Sequence, residues 1–141
     1  MHPSIVRLNE NNTQLLDDFL EHAGRSLRSF RYYDKRPRSI TEQHACTLLL
    51  TDEGKAVAYG HLDPEGGKTW LGIAVTETAT GKGYGRMMMQ ALIGEARAQQ
   101  IPALFLSVDN DNLAAIRLYE KNGFVLQEEK GAIRFYHLDL S

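Results

Sequence analysis

The sequence predicts an α/β chain of the α+β kind, a mixed and mostly antiparallel central sheet of about seven strands flanked by helices. Three observations predict it. Between Ala45 and Thr76, three strand-like runs follow one another, separated only by turn clusters. A helical stripe from Gly85 to Ala96 then leads into the apolar run Ala103 to Val108, the pattern of a crossover to a parallel strand. Finally, a second helical segment ending at Gly123 is followed by a terminal hairpin pattern. At 141 residues and 43% hydrophobic content, the chain is expected to fold as a single domain over 1–141 with a core that needs no staples.

In chain order, Ser4 to Leu8 alternates like a strand, and Leu15, Leu16, Phe19, Leu20 and Ala23 mark a helix opened by Asn11 or Asn12. Residues 24 to 43 are polar and aromatic with Pro37 inside, which predicts short helices and loop. The runs Ala45–Leu50, Lys55–Asp63 and Lys68–Thr76 are divided by Asp52-Glu53-Gly54 and Pro64-Glu65-Gly66-Gly67, hence an antiparallel meander. Gly85, Met88, Met89, Leu92, Ile93 and Ala96 form one helical stripe, with Pro102 expected to stop that helix. Ala103 to Val108 is nearly all apolar, as in a central strand covered on both faces and parallel to its predecessor. Asp111 or Asn112 can cap the next helix, whose residues 112, 115, 116 and 119 share a face, and Gly123 supplies a left-handed stop. Phe124–Glu129 and Ile133–Leu140 then form a hairpin around Lys130-Gly131.

Sixteen basic against eighteen acidic residues give a net charge of −2, too little for a global field that attracts nucleic acid or an anionic membrane. The charge is uneven, with six basic residues and one acid between Arg25 and Arg38. Cys46 is the single cysteine, so no internal disulfide forms, and Met1 to Ser4 lead into no apolar signal or membrane-length run. The expectation is a cytoplasmic location, with neither nucleic acid nor membrane as partner. The five histidines show no metal-ligand spacing, so no metal is expected.

Thr80-Gly81-Lys82-Gly83-Tyr84-Gly85 joins a strand to a helix, and its glycines with the helix start suit a phosphate group. It is not a Walker A loop, which would need Gly at 76 and Ser or Thr at 83 where Thr76 and Gly83 stand. Neither Gly81-x-Gly83-x-x-Arg86 nor Gly83-x-Gly85-x-x-Met88 completes the dinucleotide fingerprint.

Joined to the segment Asn112, Ala115, Leu118, Tyr119, Gly123, Phe124, the loop resembles the GNAT-type N-acetyltransferase superfamily. That family has Arg/Gln-x-x-Gly-x-Gly/Ala after a strand ending in Val, and Val75 precedes the loop here at the matching spacing. Thr80 stands where the family has Arg or Gln, leaving Lys82 or Arg86 to supply the charge. The resemblance implies a GNAT-like acyl-CoA N-acyltransferase fold with acetyl-CoA as cosubstrate. Its pyrophosphate would lie on the amides of Gly81, Lys82, Gly83, Tyr84, Gly85 and Arg86, and its arm beside a splayed strand at Ile73, Ala74 and Val75. Asn112 would contact it, and Tyr119 would lie near its sulfur.

The implied reaction moves an acetyl group to a primary amine by direct attack in a ternary complex. Tyr119, with an ordinary phenol pKa of about 10, suits a general acid for the departing thiolate, and an N–H on the strand around Ile73 to Val75 suits the oxyanion. Tyr59, His61 and Asp63 share a strand face, so His61 is a candidate base or acceptor contact; Glu65 ranks behind it because it falls in the Pro-Gly turn. Cys46 shares a face with His44 but opens an apolar run, which favours a core role over an acyl-enzyme. Trp70 and Met87 to Met89 are expected in the core or lining the cofactor. Arg31, Tyr32, Tyr33 and Arg36 fall where the family builds its acceptor side, and arginines favour an anionic group on a small-molecule amine acceptor. Two alternatives stand beside this: a noncatalytic acyl-CoA-binding sensor, and an acetyltransferase for protein amines. The terminal hairpin offers an edge for a possible homodimer.

Overall fold

The computed structural model describes residues 3–8, 14, 19, 45–75 and 83–141. Within them lie strands β1 (Ser4–Arg7), β2 (Cys46–Asp52), β3 (Lys55–Glu65) and β4 (Lys68–Val75), helix α1 (Tyr84–Ala98) and strand β5 (Ala103–Asp109). Helix α2 (Leu113–Lys121) and strands β6 (Val125–Lys130) and β7 (Ile133–Asp139) complete them. The expected helix near Leu15 to Ala23 is described only at Gln14 and Phe19, both helical. The segment 24 to 44, with Arg31, Tyr32, Tyr33 and Arg36, lies outside the described residues, as does the loop 76 to 82 with Gly81 and Lys82.

The strands form one seven-stranded sheet in the order β1-β2-β3-β4-β5-β7-β6. Every neighbouring pair is antiparallel except β4 with β5. This is the mixed, mostly antiparallel sheet the sequence predicts.

Two-residue turns close the meander. Glu53 and Gly54 have φ of +53° and +81°, and Gly66 and Gly67 have +63° and +81°, the paired left-handed geometry that matches strand twist. One expectation needs correcting at the second turn: Pro64 and Glu65 belong to β3, opposite Thr69 and Lys68, so Glu65 is a strand end rather than a turn residue.

Both helices pack on one sheet face. Met88, Met89, Leu92 and Ala96 of α1 and Ile116 and Tyr119 of α2 join Leu48, Leu50, Ala58, Leu62, Leu71, Leu104, Leu106 and Tyr136 in one core. Gly60 is what lets α1 come so close: a Cβ there would stand 2.6 Å from the Met88 sulfur and 2.8 Å from Leu92 Cδ1. On the opposite face Phe19 stacks on Tyr59, centroids 6.0 Å apart.

Two further expectations are revised. Pro102 does not stop α1; the helix ends at Ala98, where Gln100 turns left-handed at φ +60°. The Gln100 N–H then donates to Arg97 and the Ile101 N–H to Ala96, the paired bonds of a Schellman end. Nor is β5 covered on both faces, since Leu104, Leu106 and Val108 are buried while Ser107 is exposed. It is nonetheless central and parallel to β4, because its Leu104 face carries the core.

Candidate active site

The parallel contact between β4 and β5 is recorded at Trp70 and Phe105. On its other edge β4 pairs with β3 from Glu65–Lys68 through to Ala58–Val75. Among the described residues Trp70–Phe105 is the one β4–β5 partner pair, so the parallel contact is brief, and Ile73, Ala74 and Val75 lie past it with their ladder partners on β3. The carboxyl ends of the two parallel strands point to one side of the sheet, where ligands of α/β sheets gather. The openings of α1 and α2 lie at that same side.

At the start of α1, Gly83 takes φ +80° with no side-chain cap bond, and a Cβ built on it would meet nothing within 4 Å. The first turn carries no acid. Met87 N–H bonds Gly83, which leaves the N–H groups of Tyr84, Gly85 and Arg86 as the orphan donors of the helix start. Such a turn suits a diphosphate, and a β4 edge held to β5 only briefly suits the amide-bearing arm attached to one. These residues therefore fit coenzyme A.

Within that turn Tyr84 has a second task. Its ring is buried and its hydroxyl donates to the Asp52 carboxylate at the end of β2, so its side chain anchors the helix start and only its backbone faces a ligand. Gly85 packs under α2: a Cβ there would stand 3.2 Å from Leu118 Cδ2. The contact brings the middle of α2 against the first turn of α1.

Asn112, not Asp111, is the N-cap of α2, and its Oδ1 accepts from Ala115 N–H at 3.3 Å. At the other end, Phe124 N–H donates to Tyr119 and Gly123 N–H to Glu120, with Gly123 at φ +96°. This Schellman end explains the Tyr119-to-Phe124 spacing physically: its hydrophobic contact is the Tyr119–Phe124 ring pair, 6.0 Å apart. Tyr119 is 6% exposed, and burial alone pushes its phenol up to about 12.

His61 is 3% exposed on the opposite face of the sheet from Tyr119. Its Nδ1 is 2.8 Å from the Tyr59 hydroxyl, in the layer beneath Phe19. Cys46 is buried, and desolvation raises its thiol to about 11, which suits a core residue and not a nucleophile. Met88 and Met89 are core, Met87 is exposed, and Trp70 is half-buried. Among the described residues no cluster of His, Cys, Asp and Glu has metal-site geometry, and no helix is long and apolar enough to cross a membrane.

One group escaped the sequence reading. Asp63, Trp70, Phe105, His137 and Val125 are successive cross-strand partners, a row spanning β3, β4, β5, β7 and β6 on the face away from α1 and α2. Trp70 and Phe105 lie 5.9 Å apart and Phe105 stacks on His137 at 6.3 Å. The sequence signal was only the alternation placing Phe135 and His137 on one face of their strand.

The acetyltransferase (GNAT) family profile matches residues 10–124. Among curated relatives, the spermine/spermidine N(1)-acetyltransferase of Bacillus subtilis (strain 168) is 36% identical over 69 residues, 48% of this chain and 45% of that protein. The chain thus aligns with under half of that relative's length. The [ribosomal protein bS18]-alanine N-acetyltransferase of Escherichia coli (strain K12) is 31% identical over 107 residues, 73% of this chain and 70% of the relative. Among solved structures, the PaiA N-acetyltransferase of Thermoplasma acidophilum in complex with coenzyme A shares the fold, with TM-score 0.77 at 15% identity and 99% of each chain covered. With a family match over most of its length and the family's sheet, the chain belongs to the GNAT family, whose members are acetyl-CoA-dependent acetyltransferases.

Proposed function

We propose that this chain moves an acetyl group from acetyl-CoA to a primary amine by direct attack in a ternary complex. The observation that carries the reading is the brief contact of β4 with β5 at Trp70–Phe105, which we read as strands that splay beyond it, flanked by the uncapped start of α1 and the Asn112-capped start of α2. The N–H groups of Gly81 to Arg86 hold the phosphates, with charge from Lys82 and Arg86 in place of the cation missing at Thr80. Ile73, Ala74 and Val75 align the arm, and a strand N–H among them stabilises the oxyanion. Asn112, its Oδ1 engaged by the cap, presents its amide N–H groups. The bound thioester supplies an activated acyl carbon and a thiolate leaving group.

Tyr119 is the acid that protonates the departing sulfur. Burial keeps it protonated at neutral pH, and the same desolvation raises the proton affinity of a thiolate placed beside it, so donor and acceptor shift together. We assign no proton transfer to His61, whose Nδ1 is shared with Tyr59 in a buried layer. The acceptor is an amine of a small molecule or a protein terminus. Arg31, Tyr32, Tyr33 and Arg36 remain the proposed contacts for an anionic acceptor, while the two relatives' names point to polyamine and protein alanine.

The test is thiol release from acetyl-CoA across spermidine, an alanine-terminated peptide, amino acids and amino-sugar nucleotides. Tyr119→Phe is expected to lower kcat by roughly 10²-fold with acetyl-CoA affinity unchanged. Acetyl-CoA binding without release of thiol by any amine would replace the enzyme with a sensor module.

A further inference from the structure

The aromatic row on the far side of the sheet crosses from β4 to β5 at their parallel contact. Trp70 and Phe105, the partner pair that joins β4 to β5, are its members on those strands, and His137 stacks on Phe105 at an interplanar angle of 26°. All three are half-buried, which leaves edges for a ligand. Because α1 and α2 lie on the other face, an acceptor meeting an acyl group in the cleft from this side passes over the row.

The row already holds an alkylammonium. Lys68, exposed on β4, places its Nζ 4.9 Å from the Phe105 ring centroid. An aromatic face that accepts the chain's own ammonium suits the protonated amine of an acceptor. His137 adds a group for its proton. Among the described residues its buried Nδ1 has no hydrogen-bond partner, and Nε2 is the other ring nitrogen able to take a proton.

We propose that the Trp70–Phe105–His137 row is the acceptor-ammonium site and that His137 Nε2 takes the ammonium proton, directly or through one water. This deepens the acetyl transfer proposed above and rests on it. The ammonium gives one proton to His137; the freed lone pair forms the C–N bond as the C–S bond breaks. The new amide nitrogen then sheds its second proton, which balances the one Tyr119 delivers to sulfur, and His137 returns its proton to solvent. Among the described residues, the titratable and charged groups on the face of His137 are Lys68 of β4, His61, Asp63 and Glu65 of β3, Glu128 and Lys130 of β6 and, on its own strand, Asp139. On that face β5 brings the uncharged Ser107 and, at its end, Asp109.

The test compares wild type with His137→Gln, using whichever of spermidine and an alanine-terminated peptide wild type acetylates, over a range of pH. At pH 7 the variant's kcat/KM is expected to fall by roughly 10²-fold, then to rise about tenfold per pH unit as free amine appears, with acetyl-CoA affinity unchanged. Phe105→Leu is expected to raise the acceptor KM by roughly 3- to 30-fold with kcat nearly intact, as loss of a cation–π contact requires. A uniform loss at every pH, a change under about threefold at pH 7, or loss of acetyl-CoA binding overturns the assignment. Wild type that acetylates neither amine defeats the parent reading instead.

Discussion

Tyr119 combines three roles in one side chain: it ends α2 as the hydrophobic partner of Phe124, it fills the core, and it presents the proposed acid. Its burial has a consequence for stability that activity does not report. The folded state holds the phenolic proton up to about 12 against an ordinary 10, so the stabilisation is complete below pH 10 and is lost as pH rises towards 12. Between those limits Tyr119 withdraws about 3 kcal/mol, on the order of two pKa units. Urea unfolding at pH 9 and pH 11.5 should therefore show a steeper alkaline loss for wild type than for Tyr119→Phe. Tyr84 and Tyr136, whose phenols are also raised, contribute to both proteins equally and cancel in the comparison. Parallel pH profiles would mean that Tyr119 titrates as an exposed phenol does.

At the scale of elements, the two helix ends use the same hydrogen bonds with different residues at the left-handed position. Gly123 suits it, whereas Gln100 at φ +60° is strained by its Cβ. Gln100→Gly should raise unfolding free energy by roughly 0.5–1 kcal/mol, and Gly123→Ala should lower it by roughly 1–2 kcal/mol, since its Cβ would also stand 3.2 Å from Leu138 Cδ1. Equal effects of the two changes in chemical unfolding would contradict the assignment. The contrast also explains what the sequence disclosed. Asn112 to Phe124 was legible because its cap, its face and its glycine stop are local, each within four residues of its partner. The end of α1 was misread because Gln100, an ordinary residue, takes the glycine role, and Pro102 was the more visible signal. Gly60 gave no sign of its close approach to Met88, and β7 inserts between β5 and β6, so the Trp70–Phe105–His137 row exists only through pairings between distant segments. Terminal hairpin and edge were both legible: β6 is the outer strand, with Val125 57% exposed, and an edge of this kind remains our proposed surface for a homodimer.

The whole sheet divides at the site. On one side β1 to β4 are joined by antiparallel ladders, with one register shift between β2 and β3 at Leu50–Thr51, and tied to α1 by the Arg7–Glu95 ion pair at 2.9 Å and by Tyr84 on Asp52. On the other, β5, β7 and β6 carry α2 through the Tyr136 hydroxyl, which donates to Glu120 at 2.9 Å. The recorded strand pairing between the halves is Trp70 with Phe105, so side-chain packing across the core does most of the joining. A ligand lying along β4 with its phosphates on α1 and its far end near Asn112 and Tyr119 bonds to both halves at once. It should therefore act as a structural link as well as a substrate. Coenzyme A at about 100 times its Kd contributes about 2.7 kcal/mol by mass action, which for a chain of this size raises Tm by roughly 8–12 °C. The effect should be local: amide exchange should slow most at Ile73 to Val75, at the first turn of α1 and along β5, while β1 and the outer strand β6 change little. Coenzyme A that raises Tm with protection spread evenly over the sheet, or none at Ile73 to Val75, would place its arm somewhere other than along β4 past its contact with β5.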